Sequence, residues 1–419
     1  EDKLCRWMRA PFIAPTAGAL ILAWICVRRI RVWHARRLPV KALQDTLALR
    51  RIFRSKMGLD IGGTLAKIVF ASAPGTEPLD QVSQTRSTAH ATLAFTAPGG
   101  IKFHFLTIPT HLLEETALDL RDRLGWPESD DSLRQIVAAG GGALKFQSMF
   151  RKLLKVELLP FKELEAVVRG LAFMRPNGPE HELFTIDSSG AVVDVPWPTP
   201  LYPFLLVNLG SGVSVLRVSG PQEFVRVGGT ACGGATFLGL ARALTGQRDF
   251  HELMKLAEKG NESRVDKSVG DIYGRRGCED LGLPANLTAA SFGRIATATR
   301  TEMQRAEYTA DMTRALLRMV VQASVVLAKA FVTGEAGAQV EGAESRSQGY
   351  CSGDPCASKS AGFKDRVFFV GTFVGAQENE VARRMIAESM AQVGSRALFC
   401  RHAEYLGALG SISECLKRA

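Results

Sequence analysis

Apolar and polar positions along this chain change period several times, and each change marks an element. Met57, Leu59 and Ile61 alternate with Gly58 and Asp60, a period of two that predicts a strand. Ile68-Val69-Phe70 is a continuous β-rich run, and Gly62-Gly63-Thr64 between the two predicts a tight turn. Leu205-Leu206-Val207-Asn208-Leu209-Gly210-Ser211-Gly212-Val213-Ser214-Val215-Leu216 repeats the design of apolar strand, small-residue turn and apolar strand. Two more β-rich runs end in glycine. Arg134–Val137 leads through Ala138-Ala139-Gly140-Gly141-Gly142 into a helix, and Val367–Val370, read as the last strand, leads into Gly371-Thr372-Phe373. A helix is predicted to open at Glu163, just after Pro160, with Ala166, Val167 and Gly170 on its buried face. A long apolar helical run covers roughly 306–334. Residues 335–363 are rich in Gly, Ser and Ala without periodicity, which predicts a mobile surface insertion.

The two hairpins give the chain a coarse duplication, one half over 57–200 and another over 201–419. Two α/β halves, each opened by a phosphate-type hairpin, mark the actin-like ATPase fold of acetate and sugar kinases, Hsc70 and actin. Nucleotide and acceptor then belong in the cleft between the halves. The first hairpin carries suitable groups. Gly62 and Gly63 let an anion reach backbone N–H groups, Asp60 suits a hydrated Mg²⁺, Thr64 offers a hydroxyl and Lys67 a mobile charge. The loop is neither a Walker A sequence nor Gly-x-Gly-x-x-Gly, and a structural turn with incidental charges is the competing reading. Four glycine clusters, each following a β-rich run, favour phosphate binding. Glu163, on its own, reads as a first-turn acid favoured by the helix dipole or as a carboxylate bordering the cleft. Arg226, before Val227-Gly228-Gly229-Thr230, reads as a solvated strand-end charge or as a phosphate contact.

Composition changes this picture little, but the location of the charge matters. Hydrophobic content of 46% and charged content of 22% suit a globular chain with ample core. The net charge of +10 lies entirely in residues 1–56, which hold thirteen Lys/Arg against three Asp/Glu; the remainder carries 39 of each sign. A nucleic-acid-binding body is therefore disfavoured. Residues 10–27 form an uncharged stretch of eighteen, flanked by three basic residues before and six after up to Lys41. That length and bias fit a membrane anchor with the body cytoplasmic. Pro11, Pro15 and Gly18 leave a cleaved signal, a mitochondrial or other organellar targeting segment, or an inert extension as alternatives. Eight cysteines are scattered without a C-x₂-C pair, so free thiols are expected and structural zinc is not.

Taken together, the motifs resemble the eukaryotic-type (type II) pantothenate kinases from about Met57 to Leu409. The blocks that carry this are Asp60-Ile61-Gly62-Gly63-Thr64-Leu65-x-Lys67, Gly140-Gly141-Gly142-x-x-Lys145-Phe146, Glu163-Leu164, Val207-Asn208-x-Gly210-Ser211-Gly212-Val213-Ser214 and Arg226-Val227. They continue in Thr236-Phe237-Leu238-Gly239-Leu240, Asp271-Ile272-Tyr273-Gly274 and Ser291-Phe292-Gly293. The resemblance implies ATP-dependent phosphorylation of pantothenate to 4'-phosphopantothenate, the first step of coenzyme A synthesis, in a dimer inhibited by acetyl-CoA or another acyl-CoA. It implies Mg²⁺ at Asp60 and ATP phosphates at Gly62, Gly63, Thr64 and Lys67, with Gly210, Ser211, Gly212 and Gly371 as further nucleotide contacts. Glu163 becomes the general base, and Ser211, Ser214 and Arg226 bind pantothenate and the acyl-CoA inhibitor, with Ala289 lining the same pocket. Three positions depart from the family pattern: Leu144 replaces a ring, and Arg294 and Thr372 each replace Asn. Arg294 must find a carboxylate, a phosphate or solvent, and two copies meeting across a homodimer seam would favour a partner that presents an acid. The alternative expectation is thus a weakly active or regulatory subunit of a heteromeric pantothenate kinase. A kinase of the same fold for another hydroxylated metabolite is a further alternative.

Overall fold

The computed structural model describes residues 56–72, 88–124, 134–333, 363, 365–375 and 379–417. The expectations for the leader and for nearly all of the 335–363 insertion lie outside these residues.

The first sheet opens with β1 (Lys56–Ile61) and β2 (Leu65–Ser72), paired antiparallel from Lys56–Ala71 to Ile61–Ala66. It continues with β3 (Thr88–Ala89), β4 (Phe95–Thr96) and β5 (Lys102–Pro109), then α1 (Leu113–Leu124) and β6 (Arg134–Ala139). After these come α2 (Gly142–Leu154), β7 (Val156–Phe161) and α3 (Glu163–Asn177). Strand order is β3-β5-β2-β1-β6-β7, with β4 on β5. The second sheet is built from β8 (Leu183–Ile186), β9 (Val192–Asp194), β10 (Phe204–Leu209), β11 (Val213–Val218) and β12 (Phe224–Thr230). Next follow α4 (Gly234–Thr245), α5 (Phe250–Lys259), β13 (Lys267–Ser268), α6 (Val269–Tyr273), β14 (Thr288–Ala290), α7 (Arg300–Met303) and α8 (Tyr308–Thr333). The described chain ends with β15 (Val367–Val370), α9 (Thr372–Gly375), α10 (Glu380–Ala391), β16 (Ala397–Cys400) and α11 (Leu406–Lys417). Val367–Val370 is thus not the final strand; β16, only four residues long, pairs parallel to it.

Order in the second sheet is β12-β11-β10-β15-β16-β8-β9, and β13 pairs with β14 alone. Both large sheets share one plan. The first hairpin strand also runs parallel to a later strand, β1 with β6 and β10 with β15. Each hairpin turn therefore shares an edge with the glycine turn that ends the parallel strand, and such carboxyl edges are where α/β sheets bind ligands. This duplication is the actin-like ATPase fold.

The three larger cores among the described residues stack on one another. One lies between the first sheet and α1 and α2, filled by Ile61, Ile68, Phe150 and Leu154. The middle core joins both sheets through α3 and α11, with Val69, Phe103, Leu171 and Leu409 meeting Leu206 and Phe368. On the far side of the second sheet, α4, α5, α8 and α10 enclose Val207, Phe237, Leu316 and Met385. The apolar α8 is long enough to cross a bilayer, yet its Leu317, Val320, Val321 and Val325 are wholly buried against these neighbours.

Helices α3 and α11 approach unusually closely. A Cβ at Gly410 would overlap the carbonyl oxygen of Ala166, and one at Gly170 the carbonyl oxygen of Leu406. Glycine is required there by contact between backbones, and it seats the last helix on the first sheet, where the Ser411 hydroxyl donates to Leu59 O at 2.9 Å. A second tie joins the halves at His402, whose Nδ1 lies 2.6 Å from buried Glu182 and whose Nε2 lies 2.7 Å from Leu93 O.

Candidate active site

A cleft of about 680 Å³ opens between the two sheets, lined from both halves. The first half contributes Gly62 and Gly63, Gly141 and Gly142, Lys145, Phe146, Glu163 and Leu164. From the second come the β10–β11 turn, Ser214, Arg226 and the end of β12.

The first turn is closed by Gly62 N–H donating to Leu65 O at 3.0 Å. It is pinned from outside by Thr110, whose hydroxyl donates to Gly62 O at 2.9 Å and whose N–H donates to Thr64 O at 2.8 Å. Gly63 and Thr64 are exposed, and no atom of the described residues stands within 4 Å of the position a Gly63 Cβ would take. Backbone at this turn is thus open to a bulky anion. In the second turn, Gly210 N–H donates to Gly212 O, and the first N–H groups of α4 are satisfied by Gly210 O and Ser211 O. Arg226 Nε lies 3.3 Å from Ser214 Oγ, so the cation and the hydroxyl form one polar wall.

Behind the first turn lies a charged cluster. Asp60 and Lys67 are ladder partners on β1 and β2. Lys67 is buried and its amine donates to the Thr372 hydroxyl, which begins α9 in the other half. Burial pushes the Asp60 carboxyl up, and Lys67 offsets this only in part. Glu163 starts α3, as its position after Pro160 predicts, and its side chain opens to the cleft. The protein around it still raises its carboxyl above the ordinary value, first through lost hydration and then through the Asp60 charge, with Lys67 acting against both. A carboxylate made more basic beside an open cleft can accept a proton.

Of the residues singled out in the sequence, Gly62, Gly63, Glu163, Gly210, Ser211, Gly212, Ser214 and Arg226 line the cleft together. Asp60, Thr64, Lys67 and Gly371 are not among its lining residues. Asp60 and Lys67 lie behind the turn, and Gly371, at φ +99°, packs against Leu209 O and the Asn208 side chain. Ala289 stands apart, exposed on the two-stranded β13–β14 sheet. Arg294 finds its carboxylate within the chain: Nη2 lies 2.6 Å from Asp271, and Nε donates to Asp266 O at 3.1 Å. No acid from a partner is needed to meet that charge. Among the lining residues without a role in the sequence reading, Lys145 and Asn208 both stand in its motifs. Lys145 sits one turn into α2, whose start faces the cleft, and Asn208 is the sole polar residue of β10. Their signal is a polar side chain one helical turn or two residues from a glycine turn.

The sequence model of the Fumble family matches residues 56–333. Pantothenate kinase 2 of Arabidopsis thaliana is 32% identical over 380 residues, which cover 85% of this chain and 38% of that protein. Pantothenate kinase 1 of the same plant is 32% identical over 372 residues, covering 86% of this chain and 85% of the relative. The mouse protein named 4'-phosphopantetheine phosphatase is 30% identical over 388 residues, covering 87% of this chain and 42% of its own length. Some of these relatives are therefore more than twice as long as the part this chain matches. The shared blocks, the duplicated fold and these similarities agree: the chain belongs to the Fumble family, that of the type II pantothenate kinases.

Proposed function

We propose that the chain is a pantothenate kinase that transfers the γ-phosphoryl group of ATP to the terminal hydroxyl of pantothenate. The observation that carries this reading is the convergence of Glu163, Ser211, Ser214 and Arg226 on one cleft whose floor is made of two glycine turns. Glu163 takes the proton of the attacking hydroxyl, a task for which its raised affinity for protons suits it. Arg226, with Lys145 on the opposite wall, stabilises negative charge on the phosphoryl oxygens and on the substrate carboxylate. The Ser211 and Ser214 hydroxyls orient the polar arm of pantothenate. Acyl-CoA contains that same arm, so inhibition by competition for Ser211, Ser214 and Arg226 belongs to the proposal.

The acid at Asp60 fits a Mg²⁺ in kind. Its carboxylate oxygens face the backbones of Gly140 and Gly407, where any Cβ would fill the space, and its burial is only partly offset by Lys67. Among the described residues no group of three or more His, Cys, Asp or Glu gathers, which matches a cation held by one carboxylate and the substrate phosphates. Bound there, the ion would neutralise charge on the nucleotide. The assay is ATP consumption by the full chain with and without pantothenate, with the product identified by mass. ATP turnover that ignores pantothenate refutes the proposal, and noncompetitive acetyl-CoA inhibition against both substrates refutes the shared pocket.

A further inference from the structure

The Lys67–Thr372 contact joins groups 305 positions apart in sequence, one from each half of the molecule. Thr372 is held firmly. Gly371 N–H donates to Ala403 O at 3.2 Å, and Asn379 Nδ2 donates to Thr372 O at 3.2 Å and to Phe373 O at 2.8 Å. Its backbone is therefore fixed from both sides before any ligand arrives, and its hydroxyl is presented to Lys67 in one place. Lys67, only 7% exposed, has few other ways to satisfy three amine donors.

We propose that Thr372 is a positioning residue: its hydroxyl holds the Lys67 ammonium beside Asp60 and Glu163, at the seam between the halves. The inference rests on the kinase reading, because it concerns the charge felt by the base. Charged groups around Glu163 are Asp60 on β1 and Lys67 on β2, with Lys145 on α2 and Arg226 on β12 lining the same cleft. Glu404, ahead of α11, lies against Gly375 at the other end of α9. Of these, Lys67 is the cation that lowers the Glu163 carboxyl. A lysine released from Thr372 moves away from the acids, and the base becomes harder to ionise.

The test compares full-length wild type, Thr372→Val and Thr372→Ser. Valine keeps the shape and removes the hydroxyl; serine keeps the hydroxyl. Thr372→Val is expected to lower kcat about tenfold, to change KM for pantothenate less than about twofold, and to move the acid limb of the pH profile to higher pH. Thr372→Ser is expected to restore both to within about twofold of wild type. Acetic anhydride labelling of Lys67, read by mass spectrometry, should be faster in the valine variant and unchanged in the serine variant. Wild-type kcat and acid limb in Thr372→Val overturn the proposal, as does a serine variant impaired as much as valine. A wild type that fails to phosphorylate pantothenate refutes the kinase reading separately. The labelling contrast then still decides the contact: equal labelling in all three proteins overturns it.

Discussion

Replacing Asp266 with Asn should change how stability depends on pH. Asp266 is 4% exposed; its Oδ1 accepts the Phe292 N–H at 2.8 Å, while its buried Oδ2 has no hydrogen-bond partner among the described residues. Lost hydration, with the nearby Glu262 charge, raises its carboxyl from 3.8 to about 6. An acid whose folded value is raised favours folding fully below pH 3.8, and that contribution is lost as pH rises through about 6. A difference of roughly two units corresponds to about 3 kcal/mol between the two plateaus. Asparagine keeps the acceptor for Phe292, whose φ of +58° that bond helps to hold, and places an amide donor where Oδ2 lacked a partner. That donor goes unmet at every pH, whereas in wild type Oδ2 carries an equally unmet O–H at low pH and a buried charge above about pH 6. Urea unfolding of both proteins at pH 4 and pH 7.5 isolates the effect, since other groups cancel in the difference. Relative to wild type, the variant should gain about 2–3 kcal/mol of stability between pH 4 and pH 7.5. A stability difference that is the same at both pH values to within about 0.5 kcal/mol would refute the reasoning.

Glu163→Gln keeps size and removes the proton acceptor, so kcat should fall about 10²–10⁴-fold with ATP affinity little changed; near-normal turnover would reduce Glu163 to a helix-start acid. Gly410→Ala drives a methyl group into the Ala166 carbonyl, so denaturation should show a loss of about 1–3 kcal/mol or more, against the gain that helix propensity alone predicts. Arg294→Asn should leave turnover and oligomeric state unchanged, because the arginine is already paired with Asp271. A gain in activity or in homodimer fraction would restore the conflict across a seam that its charge suggests in sequence.

The elements legible in the sequence share a property: their signal lies within about a dozen residues. Alternation giving way to Gly62-Gly63 and to Gly210-Ser211-Gly212 locates both hairpins, and Pro160 followed by an acid locates the start of α3. What stayed hidden depends on distance across the fold. Asp60 and Lys67 read as groups for a metal ion and for phosphates; their place behind the turn, where Lys67 meets a threonine of the other half, depends on residues 305 positions apart. Arg294 reads as a charge in search of a partner, because Asp271 becomes its neighbour only when β13, α6 and the turn after β14 fold together. Gly407 and Gly410 have poor helix propensity, and their missing side chains are what lets α11 reach Asp60 and α3. A local pattern reports which residues have no Cβ; only the packed molecule reports which backbone fills the space. The site at this cleft accordingly depends on the last helix as much as on the hairpins, since α11 holds β1 through Leu59 and seats Asp60 through Gly407.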